Sequence, residues 1–290
     1  MIIDIHTHTF PAKIAAATIE KLSHISHTVP FSDGTCEGLL SHAKEAGINL
    51  SVILPVATAA KQVEHINDAS ARINENCNGE GLFSFGCMHP AYENYREELS
   101  RIKELGLKGI KIHPVYQEAD IDGLEFLRIL DRAAELDLIV LTHAGYDIGY
   151  PDMDRCSPLK CRNVINRIGN FRFICAHMGG WKQWDEVPYY LADTSVYLDT
   201  AFSTGYFHPL TDGHWENEQT QMMDEDQFLT ILSAFGPDRL LFGTDSPWSS
   251  QTESLEFLHR LPIEEKDLDK ILGENARRLL EIDESYKSVD

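Results

Sequence analysis

Long hydrophobic runs are missing from this sequence: none approaches the roughly 20 apolar residues that cross a bilayer, so no membrane-spanning segment is expected. Positive charge is scarce as well. Lys and Arg number 25 against 46 Asp and Glu, giving a formal charge of −21 and a pI near 4.9. Nucleic-acid affinity rests on clustered cations that neutralise phosphates, so no nucleic-acid partner is expected. The acidic excess speaks instead for solubility. Among the six cysteines (Cys36, Cys77, Cys87, Cys156, Cys161 and Cys175) there is no CxxC pair. They are read as reduced packing residues, with Cys156 and Cys161 in an exposed loop. Neither GxGxxG nor GxxxxGK followed by Ser or Thr occurs, which removes the main support for a nucleotide-binding open sheet. Nor does a basic, cleavable leader precede the first strand, and a cytoplasmic location is the expectation.

What the chain does have is alternation. Its 290 residues are 43% hydrophobic, enough to bury a large core. Apolar runs that read as strands lie at 1–10, 50–56, 82–87, 108–113, 138–143, 171–177, 196–199 and 240–245. Helical patterns lie at 12–22, 36–46, 60–77, 92–105, 124–136 and 264–282. Eight strands alternating with helices predict a parallel sheet, and over this length a single α/β domain, a (β/α)8 TIM barrel, at 1–282. Residues 283–290 read as a polar tail. In such a barrel the chemistry sits at the carboxyl ends of the strands. Two connections on that face, 144–160 and 202–224, are long enough to serve as substrate walls or a lid.

Several strand ends carry metal-ligating residues. His6 and His8 stand two apart on one strand, so both imidazoles project to the same side. Taken alone, such a pair is as well explained by ordinary edge-strand histidines. Three more runs end in a potential ligand, however, at His143, His177 and Asp245. His6, His8, His143 and Asp245 offer three imidazoles and a carboxylate, a set suited to Zn²⁺ or another divalent ion with one position left for water. Such an ion lowers the pKa of its water from 15.7 toward roughly 7. Asp245 would then both hold the ion and move the proton, taking it from water and returning it to the leaving group. Lys111 and His113 share a face at the end of the fourth run and could also meet a substrate or a second metal. Most of the remaining histidines read as surface residues, with His208 either lining the pocket or packing its loop onto the barrel.

The order of these ligands, His-x-His, then His, His and Asp on later strand ends, resembles the amidohydrolase superfamily. The stretches Asp4-Ile5-His6-Thr7-His8, Gly109-Ile110-Lys111-Ile112-His113-Pro114, Ala176-His177-Met178-Gly179-Gly180 and Gly243-Thr244-Asp245-Ser246-Pro247 look most like the branch that includes aminocarboxymuconate semialdehyde decarboxylase. That branch implies one ion, with His177 beside the water and Asp245 as the proton carrier. Binuclear relatives imply an alternative, in which a carboxylated Lys111 bridges two ions and His177 is a ligand. A third reading leaves His177 a core histidine. The resemblance implies an enzyme acting on a small molecule. The first expectation is a hydrolase of a small amide, ester or lactone. The alternative is a non-oxidative decarboxylase (carboxy-lyase) of an unsaturated or aromatic acid. Arg155, Arg162 and Arg172 have no evident place on the active face, which leans toward hydrolysis. A TatD-like nuclease is disfavoured by the missing strand-four glutamate, and a non-catalytic scaffold by retention of the full ligand set. Homo-oligomer formation is compatible with the sequence.

Overall fold

The computed structural model describes residues 1–76 and 81–282, so the end of the expected third helix at Cys77 and the expected tail at 283–290 lie outside the described residues. Strands appear at every expected place: β1 (Ile3–Thr7), β2 (Leu50–Ile53), β3 (Leu82–Ser84), β4 (Gly86–Cys87), β5 (Gly109–Ile112), β6 (Ile139–Thr142), β7 (Phe173–Cys175), β8 (Tyr197–Asp199) and β9 (Leu240–Leu241). The expected third strand arrives as two pieces because Asn74 takes over the backbone of Ser84. Its Oδ1 accepts from the Ser84 N–H at 2.6 Å and its Nδ2 donates to the Ser84 carbonyl at 3.0 Å. Contacts group the described residues into two compact units, 1–53 with 81–82 and 200–282, and 54–76 with 83–199.

In the first unit β1 pairs in parallel with β2, Ile3 opposite Leu50 and Asp4 opposite Ser51. On its other side the Ile5 N–H donates to Phe242 O, just beyond β9, at 2.9 Å. β1 is buried along its whole length, so its polar residues Asp4, His6 and Thr7 need partners inside the protein. Three helices here begin on side-chain caps: Thr35 accepts from Gly38, Asp224 from Gln227 and Ser250 from Glu253. The last expected helix is broken into Glu265–Asp269, a π turn at Lys270–Glu274, and Asn275–Leu279. The Ile271 carbonyl there accepts from Phe242 N at 2.8 Å, a bond that leaves the helix and fits the local widening.

The second unit holds β4 to β8 in sequence order, every pair parallel, with Gly86 opposite Ile110, Ile110 opposite Val140, Val140 opposite Phe173 and Ile174 opposite Tyr197. Helices Tyr95–Glu104, Leu124–Glu135 and Pro158–Ile168 bury Leu99, Ile102, Phe126, Ile129, Leu130 and Val164. Each such side chain contributes about 1.5–3 kcal/mol on leaving water.

One expectation fails. Cys156 and Cys161 are fully buried, their sulfurs 3.7 Å apart, instead of exposed. The connection folds back onto the sheet, with Gly145 N–H donating to Cys156 O at 2.8 Å and Cys156 Sγ lying 3.6 Å from Thr142 Oγ1. Burial pushes the Cys156 thiol well above its ordinary pKa, which keeps it protonated and unreactive. Among the described residues no helix is long and apolar enough to cross a membrane.

The segment that carries His143 depends on a close backbone approach at Gly145. Its φ is +86°, and a Cβ there would stand 2.0 Å from the Trp181 amide nitrogen. Gly145→Ala is expected to cost at least ~1–2 kcal/mol from the dihedral alone, with the backbone clash added. Urea unfolding reads this directly, and an unchanged midpoint would contradict the tight approach.

Candidate metal centre and the residues around it

In the first unit β1 presents His6 and His8 to one side, and the chain leaving β9 brings in Asp245. His6 Nε2 and His8 Nε2 are 3.2 Å apart. Asp245 Oδ1 lies 3.4 Å from the former and 3.0 Å from the latter. Donors bound about 2.0–2.1 Å from a divalent ion stand about 3.0 Å apart in octahedral and about 3.4 Å in tetrahedral coordination, so these three atoms fit one ion. The ring orientations agree with that reading. The imidazole planes cross at 76°, which lets in-plane lone pairs converge from two directions.

Backbone pairing sets this geometry. Asp245 N–H donates to His6 O at 2.8 Å and His8 N–H to Ser246 O at 2.7 Å. Asp245 itself has a φ of +67°, a left-handed conformation rare for a residue with a Cβ. Gly243 leaves room for His6, whose Cβ lies 3.0 Å from where a Gly243 Cβ would be. Behind the site, the buried Asp4 carboxylate accepts from Thr244 N–H and Oγ1–H, from Gln251 Nε2–H and from His6 N–H. Burial nevertheless pushes its pKa up to about 6. Gln251 has turned its Nε2 to this carboxylate and leaves its own buried Oε1 without a partner among the described residues. An unmet buried acceptor costs about 1–3 kcal/mol, a sign of how strongly the carboxylate claims the donor.

The second unit gathers the other sequence candidates at the ends of β5, β6 and β7. His143 Nε2 lies 3.1 Å from the Tyr146 carbonyl, and His143 Nδ1 lies 3.0 Å from His177 Nε2. A carbonyl only accepts, so Nε2 carries the His143 proton and Nδ1 the lone pair. Burial, followed by His113, His177 and Lys111, holds the His143 pKa well below its usual value, so the ring is neutral at pH 7 and ligand-competent. His177 is fixed by its backbone: its N–H donates to Asp199 Oδ1 at 2.9 Å and its carbonyl accepts from Trp184 Nε1 at 3.0 Å. Lys111 is 1% exposed on β5.

His113, His143 and Asp147 form a second buried cluster whose donor atoms lie within 4.8 Å of one another. Its rings, however, are stacked, His113 on His143 at 4.2 Å and 17° and on Tyr116 at 3.9 Å and 10°. Nearly parallel rings cannot aim in-plane lone pairs at one ion. Both His113 nitrogens are also engaged, Nδ1 facing the Tyr116 N–H at 3.4 Å and Nε2 facing Asp147 Oδ2 at 3.5 Å. This cluster is therefore a hydrogen-bonding and stacking network. His6, His8 and Asp245 are the better donor set.

The sequence reading missed Asp4, Asp147 and Asp199. Asp4 had a usable signal, an acid at i−2 from His6 and i−4 from His8 and so on their face of the strand. Asp147 and Asp199 carried none, because nothing in their neighbourhoods separates them from loop and strand-end acids.

An uncharacterised TIM-barrel protein from Bordetella bronchiseptica superposes with a TM-score of 0.74 at 18% identity, over 97% of this chain and 98% of its own. A 2,6-dihydroxybenzoate decarboxylase from Rhizobium gives 0.68 at 15%, over 97% and 98%. A dihydroxybenzoic acid decarboxylase from Polaromonas, solved with bound manganese and the inhibitor 2-nitroresorcinol, gives 0.68 at 14%, over 97% and 96%. No curated relative matches the sequence. At these identities the likeness shows the fold class, a TIM barrel, as the strand and helix alternation predicts. The Amidohydrolase family model matches residues 3–282, which is nearly the entire chain, and the protein therefore belongs to the amidohydrolase family.

Proposed function

We propose that this protein is a metal-dependent, non-oxidative carboxy-lyase that decarboxylates a small unsaturated or aromatic acid, with residues 1–282 as one catalytic barrel. The observation that carries the reading is the chain-long likeness to decarboxylases, one of them with manganese, together with a His6–His8–Asp245 donor set of matching chemistry. His6, His8 and Asp245 would hold the ion. Zn²⁺ suits this nitrogen-rich set, and one ion is favoured over two. When bound, it supplies Lewis-acid stabilisation of negative charge on substrate oxygens.

The remaining work falls to side chains. Decarboxylation exchanges a carbon–carboxylate bond for a carbon–hydrogen bond, so a proton must reach the carbon that loses CO₂. Asp245 is the proton carrier: Oδ1 faces the two imidazoles and the other oxygen would carry the proton. His177 Nε2–H donates to His143 Nδ1 here. Turned away from that nitrogen, the same N–H would donate to a substrate oxygen. Lys111, uncarboxylated, is a buried cation suited to a carboxylate, with His113 beside it.

Hydrolysis of an amide, ester or lactone is the second reading, and one observation favours it. Arg155, Arg162 and Arg172 are committed to Asp120, Asp193 and Asp137, so none of the three is offered to a substrate carboxylate. A panel of hydroxybenzoates and unsaturated acids, followed by CO₂ release, is expected to find the activity. Turnover of lactones or amides with none on the acids would reverse the order of the two readings.

The two histidine clusters should respond differently to substitution. His6→Ala with His8→Ala is expected to abolish stoichiometric metal, whereas His113→Ala should keep it. Elemental analysis after dialysis decides, and full occupancy in the double variant would remove the assignment.

Asp245 and His177 should also fail differently. Asp245→Asn is expected to weaken metal binding and lower kcat by about two to four orders of magnitude. His177→Asn should keep the metal and lose turnover. Loss of metal in His177→Asn would make it a ligand and point to two ions, while full activity would make the residue structural.

A further inference from the structure

Asp4 is not among the donors that face a metal, yet it is 0% exposed and lies two residues before His6 on the same strand. Four hydrogen bonds converge on its carboxylate. Oδ1 accepts from the His6 N–H at 3.2 Å and the Thr244 N–H at 3.0 Å, and Oδ2 accepts from Thr244 Oγ1 at 2.6 Å and Gln251 Nε2 at 2.8 Å. Its partners come from β1, from the chain just before Asp245, and from the first residue of helix Gln251–Arg260. One side chain thus spans both segments that deliver donor atoms.

That placement matters because Asp245 adopts a left-handed φ of +67°. Such a conformation persists only where the surroundings over-determine it. The residue before it is held at both its amide and its hydroxyl by Asp4, while Asp245 N–H itself bonds to His6 O at 2.8 Å. We propose that Asp4 is a positioning residue that locks His6 and the Thr244–Asp245 corner in one register, so that Nε2 of His6 and Oδ1 of Asp245 converge before an ion arrives. The inference rests on the metal reading of His6, His8 and Asp245 and extends it to a residue that touches neither metal nor substrate.

If position is what Asp4 provides, an isosteric amide should largely replace it. In Asp4→Asn the Oδ1 acceptor keeps its two N–H partners. The new Nδ2 can donate to the Gln251 Oε1 that lacks a partner among the described residues, once that amide turns over. Asp4→Ala has no such rescue.

The test uses full-length protein and Co²⁺ as the probe, with affinity from chelator competition, geometry from the visible d–d bands, and melting of the metal-free protein as a control. Wild type is expected to bind one Co²⁺ in this site. Asp4→Ala should bind 10–100-fold more weakly, the usual scale for losing a group that orients a ligand, with altered d–d bands. Asp4→Asn should stay close to wild type in both. Wild-type affinity and spectrum in Asp4→Ala, even with a lowered Tm, would make the residue merely structural and overturn the proposal. Equal loss in Asp4→Asn and Asp4→Ala would overturn it too, because charge and not position would then be the contribution. Should Asp4→Ala not fold, Thr244→Val removes one donor to the same carboxylate. Weaker Co²⁺ binding there supports the lock and unchanged binding refutes it. Absence of Co²⁺ binding in wild type would remove the metal reading itself, an outcome distinct from failure of the lock alone.

Discussion

A strand buried on both faces cannot hand its polar side chains to water, and the site depends on that constraint. β1 is buried from Ile3 to Thr7, yet three of its five residues are Asp4, His6 and Thr7. Thr7 Oγ1 meets the Val52 carbonyl at 2.8 Å, Asp4 collects four donors, and His6 faces His8 and Asp245. The apolar residues between them, Ile3 and Ile5, are 0% exposed and anchor the strand in the core. Polar satisfaction and apolar packing thus fix the same strand in the same register, which is how a side-chain cluster is held to a fraction of an ångström.

Ring orientation separates clusters that composition alone would treat alike. Among the described residues two sets of His and Asp come within ligating distance, and each is buried enough to be taken for a metal site. Crossed planes at 76° leave His6 and His8 free to converge on a point, whereas planes at 17° make His113 and His143 a stack. A stack still does useful work. Its rings shelter one face of His143, and His113 ties Asp147 to the β5 end, so the connection after β6 is braced at its start.

The fold was highly legible because its periodicity is strong. Each apolar run became a strand, and positive-φ glycines such as Gly47 and Gly106 fall where helices were expected to stop. Misreadings occurred where a side chain competed with the backbone, as Asn74 does at Ser84, or where a connection folded inward, as at Cys156 and Cys161. The pairing of His6, His8 and Asp245 was legible from strand-end spacing. The place of Asp199 was not, since a carboxylate that accepts a backbone N–H looks in sequence like any other acid. Such residues emerge only when the donors they collect are counted.

Decarboxylation and hydrolysis place opposite demands on charge, and Lys111 is where they part. A carboxylate substrate brings an anion that must be met by a buried cation or pay heavily for desolvation. The three arginines singled out from the sequence already answer to aspartates, at 3.2 Å for Arg155 and 2.7 Å for Arg172 among them. Lys111 is 1% exposed on a strand with His113 two residues on. It also contributes, after burial, His113 and His177, to holding His143 neutral, which is what a nitrogen donor requires. A neutral amide or lactone would gain little from such a cation, while an incoming carboxylate would gain the interaction its burial demands. Under the proposed carboxy-lyase reading, Lys111 is the cation assigned to the substrate carboxylate.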